Sequence, residues 1–227
     1  MSRILISGLF CVLFPLHLTL AQEKKIYTTT GGEIIFSFAT INYLGNEEGS
    51  ITRFAPVFNF QNWVHFDQSD HFGYFSGLAI RNVGFIYDVP DTDVRMKHRT
   101  YNIGIPFGIK VGTTRGNYLF AGYELELPIH YKEKKFVDGD RQERTSIWFS
   151  NRVNTLNHSL MAGVQLPYGA SIKFKYYLTN FFNRNFTLND GQGGVTRPYE
   201  NSDYNVFYFS LNFNLFRNAD FYYSDNF

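Results

Sequence analysis

A chain of 227 residues that is 44% hydrophobic and 19% aromatic, with 25 Phe and 16 Tyr, is too apolar for a disordered segment and lacks the repeats of collagen or a coiled coil. Its 21 Lys and Arg stand against 20 Asp and Glu, a formal net charge of +1, so no basic stripe for nucleic acid is expected. The composition leaves a chain able to bury a core or to face lipid.

Residues 1–21 differ from the rest. Met1 and Arg3 open them, an apolar run extends from Ile4 to Leu20, and Thr19, Leu20 and Ala21 precede Gln22. This pattern predicts a secretory signal peptide cleaved after Ala21. Removing it takes away Arg3 and the one cysteine, Cys11, so residues 22–227 carry no net charge and no thiol. Disulfide frameworks, cysteine zinc sites and thiol nucleophiles are thereby excluded from the mature domain.

After Ala21 no stretch offers 18 uncharged apolar residues, and the hydrophobic period is two almost everywhere. In chain order the expected outward sets are Ile34, Phe36 and Phe38, then Phe54, Phe58, Phe60, Val64 and Phe66. Residues 72–87 place Leu78, Ile80 and Ile86 on one face and Arg81 on the other, with a bulge expected near Gly84. Residues 98–112 are cleaner: Tyr101, Ile103, Ile105, Phe107, Ile109 and Val111 alternate with Thr100, Asn102, Gly104, Pro106, Gly108 and Lys110. The next strand sets Leu119, Ala121, Tyr123, Leu125, Leu127, Ile129 and Tyr131 outward, and a later one Ile172, Phe174, Tyr176 and Leu178. The last alternates Phe207, Phe209, Leu211, Phe213 and Leu215 against Val206, Tyr208, Ser210, Asn212 and Asn214.

Strands of about 10–16 residues exceed the usual 5–6 of a soluble sandwich and suit a tilted bilayer crossing. The second face carries Arg53, Gln61, His65, Lys110, Glu124, Glu126, Lys173 and Lys175, which suits a polar interior better than the exterior of a soluble barrel. The expected fold is therefore all-β: an antiparallel up-and-down transmembrane β-barrel of eight strands. Short connections at 66–72, 112–117 and 166–169 fall at one end, and long polar ones at 88–97, 132–157 and 183–203 fall at the other, with 45–50 the first outer loop. In an outer-membrane barrel the short turns are periplasmic. Residues 145–153 are expected in the third outer loop, as a short helix or a hairpin over the mouth. Were they to span, 219–227 would supply a tenth strand.

Three segments carry a resemblance: FAGYELELPIHYKEK at 120–134, WFSNRV at 148–153 and SLMAGVQLPYGASIKFKYYL at 159–178. They resemble the small outer-membrane β-barrels of Bacteroidota labelled porin-family or PorT-like. The resemblance implies an integral protein of a Gram-negative outer membrane, and that family offers no agreed substrate or catalytic residue.

Charged side chains in a narrow lumen must pair, because an unpaired buried charge costs several kcal/mol. Arg81, Lys110, Glu124, Glu126, Lys173 and Lys175 are therefore expected to form a salt-bridge network that fills an eight-stranded interior. The leading reading is a non-enzymatic barrel with a structural, surface-binding or secretion-accessory role; porin-like transport through the lumen is the alternative. A lipid hydrolase or protease is third, resting on His98, His130, His158, Ser159, Glu133 and Glu143 near the outer rim. No Gly-x-Ser-x-Gly, His-Glu-x-x-His or phosphate loop supports it, and no cofactor or metal is expected. Expected partners are outer-membrane lipid and lipopolysaccharide, the barrel-assembly machinery during insertion, and a cell-surface or secretion partner.

Overall fold

The computed structural model describes residues 25–43, 46–189 and 194–222, and the expected signal peptide at 1–21 lies outside them. In chain order the strands are β1 (Lys25–Tyr43), β2 (Asn46–Gly49), β3 (Arg53–Ala55), β4 (Phe60–Asp67), β5 (Phe72–Asp88), β6 (Val94–Gly112), β7 (Tyr118–Val137), β8 (Asp140–Trp148), β9 (Asn157–Gln165), β10 (Ala170–Tyr177), β11 (Leu188–Asn189), β12 (Val195–Thr196) and β13 (Ser202–Tyr222). Every pairing is antiparallel, and β13 closes on β1 from Lys25 opposite Tyr222 to Tyr43 opposite Ser202. The ring runs β1, β4, β5, β6, β7, β9, β10, β13 and back to β1, with β3 continuing the second stave along β1. It is an all-β, eight-stave, up-and-down barrel. Ten staves are excluded, because residues 219–222 belong to β13 itself; residues 223–227 lie outside the described chain.

Alternation decides which face is which. Leu78 is 60% and Phe107 50% exposed on the outside, whereas Arg81, Lys110, Glu124 and Lys175 inside are 0% exposed. A fold that exposes Ile103, Ile105, Phe107, Ile109 and Val111 in one column and buries charge is the reverse of a water-soluble protein.

Four expectations need correction. No register shift occurs at Gly84: β5 and β6 stay in step from Ala79 opposite Gly104 to Asp88 opposite Arg95. The continuous burial from Arg81 to Phe85 arises instead because the second stave breaks between β3 and β4. There the Asn59 Oδ1 accepts the Asn82 N–H at 2.7 Å, and the Arg53 guanidinium donates to the Asn82 O at 3.1 Å.

The second correction concerns β7, which carries the bulge that was expected on β5. Tyr101 pairs with His130 but Asn102 with Pro128, so Ile129 is the extra residue. Proline has no N–H to give a ladder, which is why sheets confine it to such places. Above this point the side chains change face, and Tyr131, expected outward, is 1% exposed in the core.

The third and fourth concern loops. The connection expected at 88–97 shrinks to 89–93, because β5 and β6 run on as a hairpin closed by Val89 N–H to Val94 O at 2.8 Å. The stretch expected as a loop at 132–157 holds a second hairpin, in which β8 lies along the upper half of β7 from His130 opposite Trp148 to Val137 opposite Asp140. Residues 145–148 do belong to a hairpin, but its exposed strand β8 extends the wall along β7 instead of packing over the mouth, and 149–153 follow it outside any strand. The staves β5, β6 and β7 thus rise above β9 and β10, which have 9 and 8 residues, and β8 adds a fourth strand to that raised wall. The first outer loop falls partly outside the described residues; from Asn46 onward, β2 turns back along β1.

Candidate functional site

Side chains converge at mid-height from four staves that are not neighbours. β1 supplies Glu33, β5 Arg81, β7 Glu124 and Glu126, and β10 Lys173 and Lys175. Arg81 binds Glu33 through Nη1, Glu124 through Nε at 3.4 Å and Gln61 through Nη2 at 3.2 Å. Lys173 reaches the Glu33 Oε1 at 3.0 Å. Lys175 reaches the Glu124 Oε2 at 2.8 Å and also binds Glu126. Glu126 is held further by the Asn102 Nδ2 at 2.6 Å and the Tyr177 hydroxyl at 2.8 Å. Three carboxylates thus face three cations, all six with fully buried side chains.

Small residues make room for this group. A methyl on Gly104 would lie 2.2 Å from the Glu124 carboxylate, and one on Gly108 would lie 2.3 Å from the Phe75 ring. The bare backbone of β6 is the floor on which those larger side chains rest.

Lys110, expected in the same network, lies apart from it near the short turns. There it pairs with the Asp67 Oδ1 at 2.5 Å and donates to the Tyr27 hydroxyl at 2.7 Å. Beside Lys110, and reaching toward the mid-height group, lies an apolar cluster of Trp63, Phe75, Tyr118, Phe120 and Met161, with Trp63 stacked on Phe75 at 4.5 Å. Above the mid-height group lies a larger apolar cluster, to which the 178–201 connection contributes Phe181 and Phe182 and the 149–156 connection contributes Val153. Phe182 stacks on Tyr199 at 4.1 Å and meets Tyr204 edge-on at 4.8 Å. Outer-loop residues are therefore folded down into the barrel mouth.

Sequence reasoning put Gln61 on the inner face without a partner and missed Glu33, Tyr177 and the Phe181–Phe182 pair. Glu33 alternates with Ile34 and shares a face with Ser37, a signal that was available. The phenylalanines had none, since they follow β10 in a stretch without period.

The residues considered for hydrolysis do not assemble. Ser159 is fully buried and donates to the Glu124 backbone O at 3.0 Å, while His158, its neighbour on the opposite face of β9, binds the Tyr123 hydroxyl. Glu143 pairs with Lys135 at 3.5 Å. His130 contacts the Ser146 hydroxyl at 2.9 Å while stacked on Trp148 at 4.3 Å, with no carboxylate on its ring. His98 contacts the Tyr131 hydroxyl at 3.0 Å, and that hydroxyl donates to Glu133 at 2.5 Å; this chain has a base and an orienting acid but no serine or threonine nucleophile on the imidazole. Among the described residues no group of three or more His, Cys, Asp or Glu is placed to hold a metal ion.

No family model matches the chain, and no curated protein sequence matches it. Among solved structures 14 chains match. They include Ail, the attachment invasion locus protein of Yersinia pestis, in complex with the heparin analogue sucrose octasulfate, at 11% identity over 85% of this chain and 99% of that one, TM-score 0.38. Neisserial surface protein A is similar at 10% identity over 84% and 97% of the two chains, TM-score 0.37. CarO of Acinetobacter baumannii is similar at 11% identity over 82% and 97%, TM-score 0.34. None of these likenesses bears on what the chain does, and the closed eight-stave ring stands on the strand pairing itself.

Proposed function

We propose that the chain is an integral outer-membrane β-barrel whose lumen is closed and whose work is done at its outer end, as a non-enzymatic structural, surface-binding or secretion-accessory protein. The observation that carries this is the interior: six mutually paired charges at mid-height, all fully buried, with aromatic layers below and above. An eight-stave interior is just wide enough for side chains to fill, and a filled interior has no continuous water path for a solute. The exposed Ile, Leu and Phe columns support membrane embedding, since that much apolar exterior is stable only against hydrocarbon. The three short turns then face the periplasm and the raised β5–β8 wall faces outside. Residues 1–21 act as the export signal, the assembly machinery inserts the barrel, and the segments at 120–134, 148–153 and 159–178 support membership of the PorT-like barrels.

Planar-bilayer recording of the purified barrel tests the closed lumen. The expected result is no reproducible current steps. Steps of defined size, abolished by Glu124→Gln with Glu126→Gln, would overturn the closed interior and favour transport.

A further inference from the structure

The outward side of the raised wall carries a grid of side chains that the closed lumen does not use. The bulge at Ile129 turns the even-numbered residues of upper β7 outward, where they align with odd residues of β6 and even residues of β8. Three rows result. The lowest is Tyr101, His130 and Trp148, with ring centroids 5.7 and 4.3 Å apart. The next is Arg99, Lys132 and Ser146, and the highest Lys97, Lys134 and Arg144.

Five cations thus sit directly opposite one another across neighbouring strands, a pairing that destabilises a sheet unless something else compensates it. Among the described residues none of the five makes an ion pair. The charged residues nearest in sequence are turned elsewhere: Asp88 binds Arg95 at 2.7 Å, Glu133 lies on the inner face beside His98, and Glu143 binds Lys135. Three of the cations rest instead against ring faces, Lys132 and Arg99 on Tyr101 at 5.2 and 5.6 Å and Lys97 on Phe136 at 4.6 Å. Lys97, Arg99, Lys132 and Lys134, with Arg53, Ile86 and the buried His98, line a small groove of about 80 Å³.

Height indicates which kind of anion these cations suit. Below Tyr101 the same column of β6 continues as Ile103, Ile105, Phe107 and Ile109, all exposed. Tyr and Trp mark the level of a membrane interface. With about 3.4 Å per residue, the cation rows begin some 7 Å further along the strand. Apolar belt, aromatic row and cation rows follow the order of acyl chain, interface and headgroup in a lipid.

We infer that this face binds the phosphorylated headgroup of a glycolipid in the surrounding leaflet, with Arg99, Lys132, Lys97, Lys134 and Arg144 on its phosphates and the Tyr101, His130 and Trp148 row where its acyl chains begin. The inference rests on the membrane placement proposed above but not on the closed lumen. A water-soluble anion would meet the same charges without the belt beneath them, and the belt is what selects a lipid.

The test follows the thermal midpoint of the purified barrel in nonionic detergent. Bisphosphorylated lipid A should raise it in a saturable manner, while dephosphorylated lipid A, inorganic phosphate and a soluble sulfated oligosaccharide should not. Arg99→Gln with Lys132→Gln, and separately Lys134→Gln with Arg144→Gln, should each weaken the lipid response about tenfold. Arg95→Gln with Arg197→Gln, which removes two cations paired elsewhere, should leave it unchanged. Without lipid both grid variants should melt no lower than the parent, because opposed cations have been relieved. An equal response to the dephosphorylated lipid, an undiminished response in the grid variants, or an equal rise with phosphate or the oligosaccharide would overturn the inference. A lower midpoint of the grid variants without lipid would also overturn it, by assigning the cations a structural role. Membrane placement fails separately, through folded protein that stays soluble when detergent is removed.

Discussion

Replacing Glu33 by Gln removes one carboxylate from a buried group in which three face three. Lys173 loses its 3.0 Å partner and is left over the faces of Tyr208 and Trp63, at 5.8 and 6.0 Å. Arg81 keeps Glu124 at 3.4 Å and Gln61 at 3.2 Å, so the damage concentrates on Lys173. Stranding one member of a buried pair costs about 3–5 kcal/mol. At about 1.4 kcal/mol per decade, that is a shift of two to four decades in the unfolding equilibrium. Adding Lys173→Met leaves Glu124 and Glu126 facing Arg81 and Lys175, two against two, and replaces the stranded ammonium by an apolar side chain. The double variant is expected within about 1 kcal/mol of the parent, since exchanging a whole buried pair for apolar volume is often neutral. Urea unfolding in phospholipid vesicles reads this, with Trp63 as the reporter in a Trp148→Phe background, checked by the electrophoretic shift between folded and heated barrel. A single variant costing under about 1 kcal/mol, with an additive double, would mean that water already reaches these groups and would refute the closed interior.

Two further outcomes follow from the same geometry. Ile105→Arg or Phe107→Arg, on the lipid-facing column, should each cost about 2–4 kcal/mol and lower the yield of heat-modifiable barrel, whereas Asp91→Arg in the outer turn should not; equal losses would invert the inside and outside assigned to β6. Asp140→Cys at the tip of the β7–β8 hairpin should react with an impermeant maleimide on intact cells, and Asp70→Cys in a short turn should be protected; the reverse pattern would turn the barrel over.

The barrel was legible because alternation is a local property. On β6, Ile103, Ile105 and Phe107 face one way and Asn102, Gly104 and Lys110 the other whatever lies beside them, and the reading of that strand matches the observed faces residue by residue. Eight staves followed from counting such runs against short and long connections. The positions of Arg81, Glu124, Glu126, Lys173 and Lys175 on the inner face followed in the same way, since parity alone settles the side of the sheet.

Parity does not settle partners. Glu33 meets Arg81 and Lys173 because staves that are distant in sequence bring them to one height across the lumen, while Lys110, with the same parity as Gly104, stands lower and meets Asp67 instead. Height depends on the stagger of every strand pair around the ring, a sum that no single strand contains. The bulge at Ile129 turned Tyr131 into the core and Lys132 and Lys134 outward, reversing the faces that an unbroken period assigned. Phe181 and Phe182 entered the mouth from a stretch without period, drawn in by apolar space that exists only once eight staves enclose it. Sequence alone determined the chain's alternation and hence its architecture; closure of the ring, which fixes stagger, bulge phase and enclosed volume, decided which charges meet and which side chains cover them.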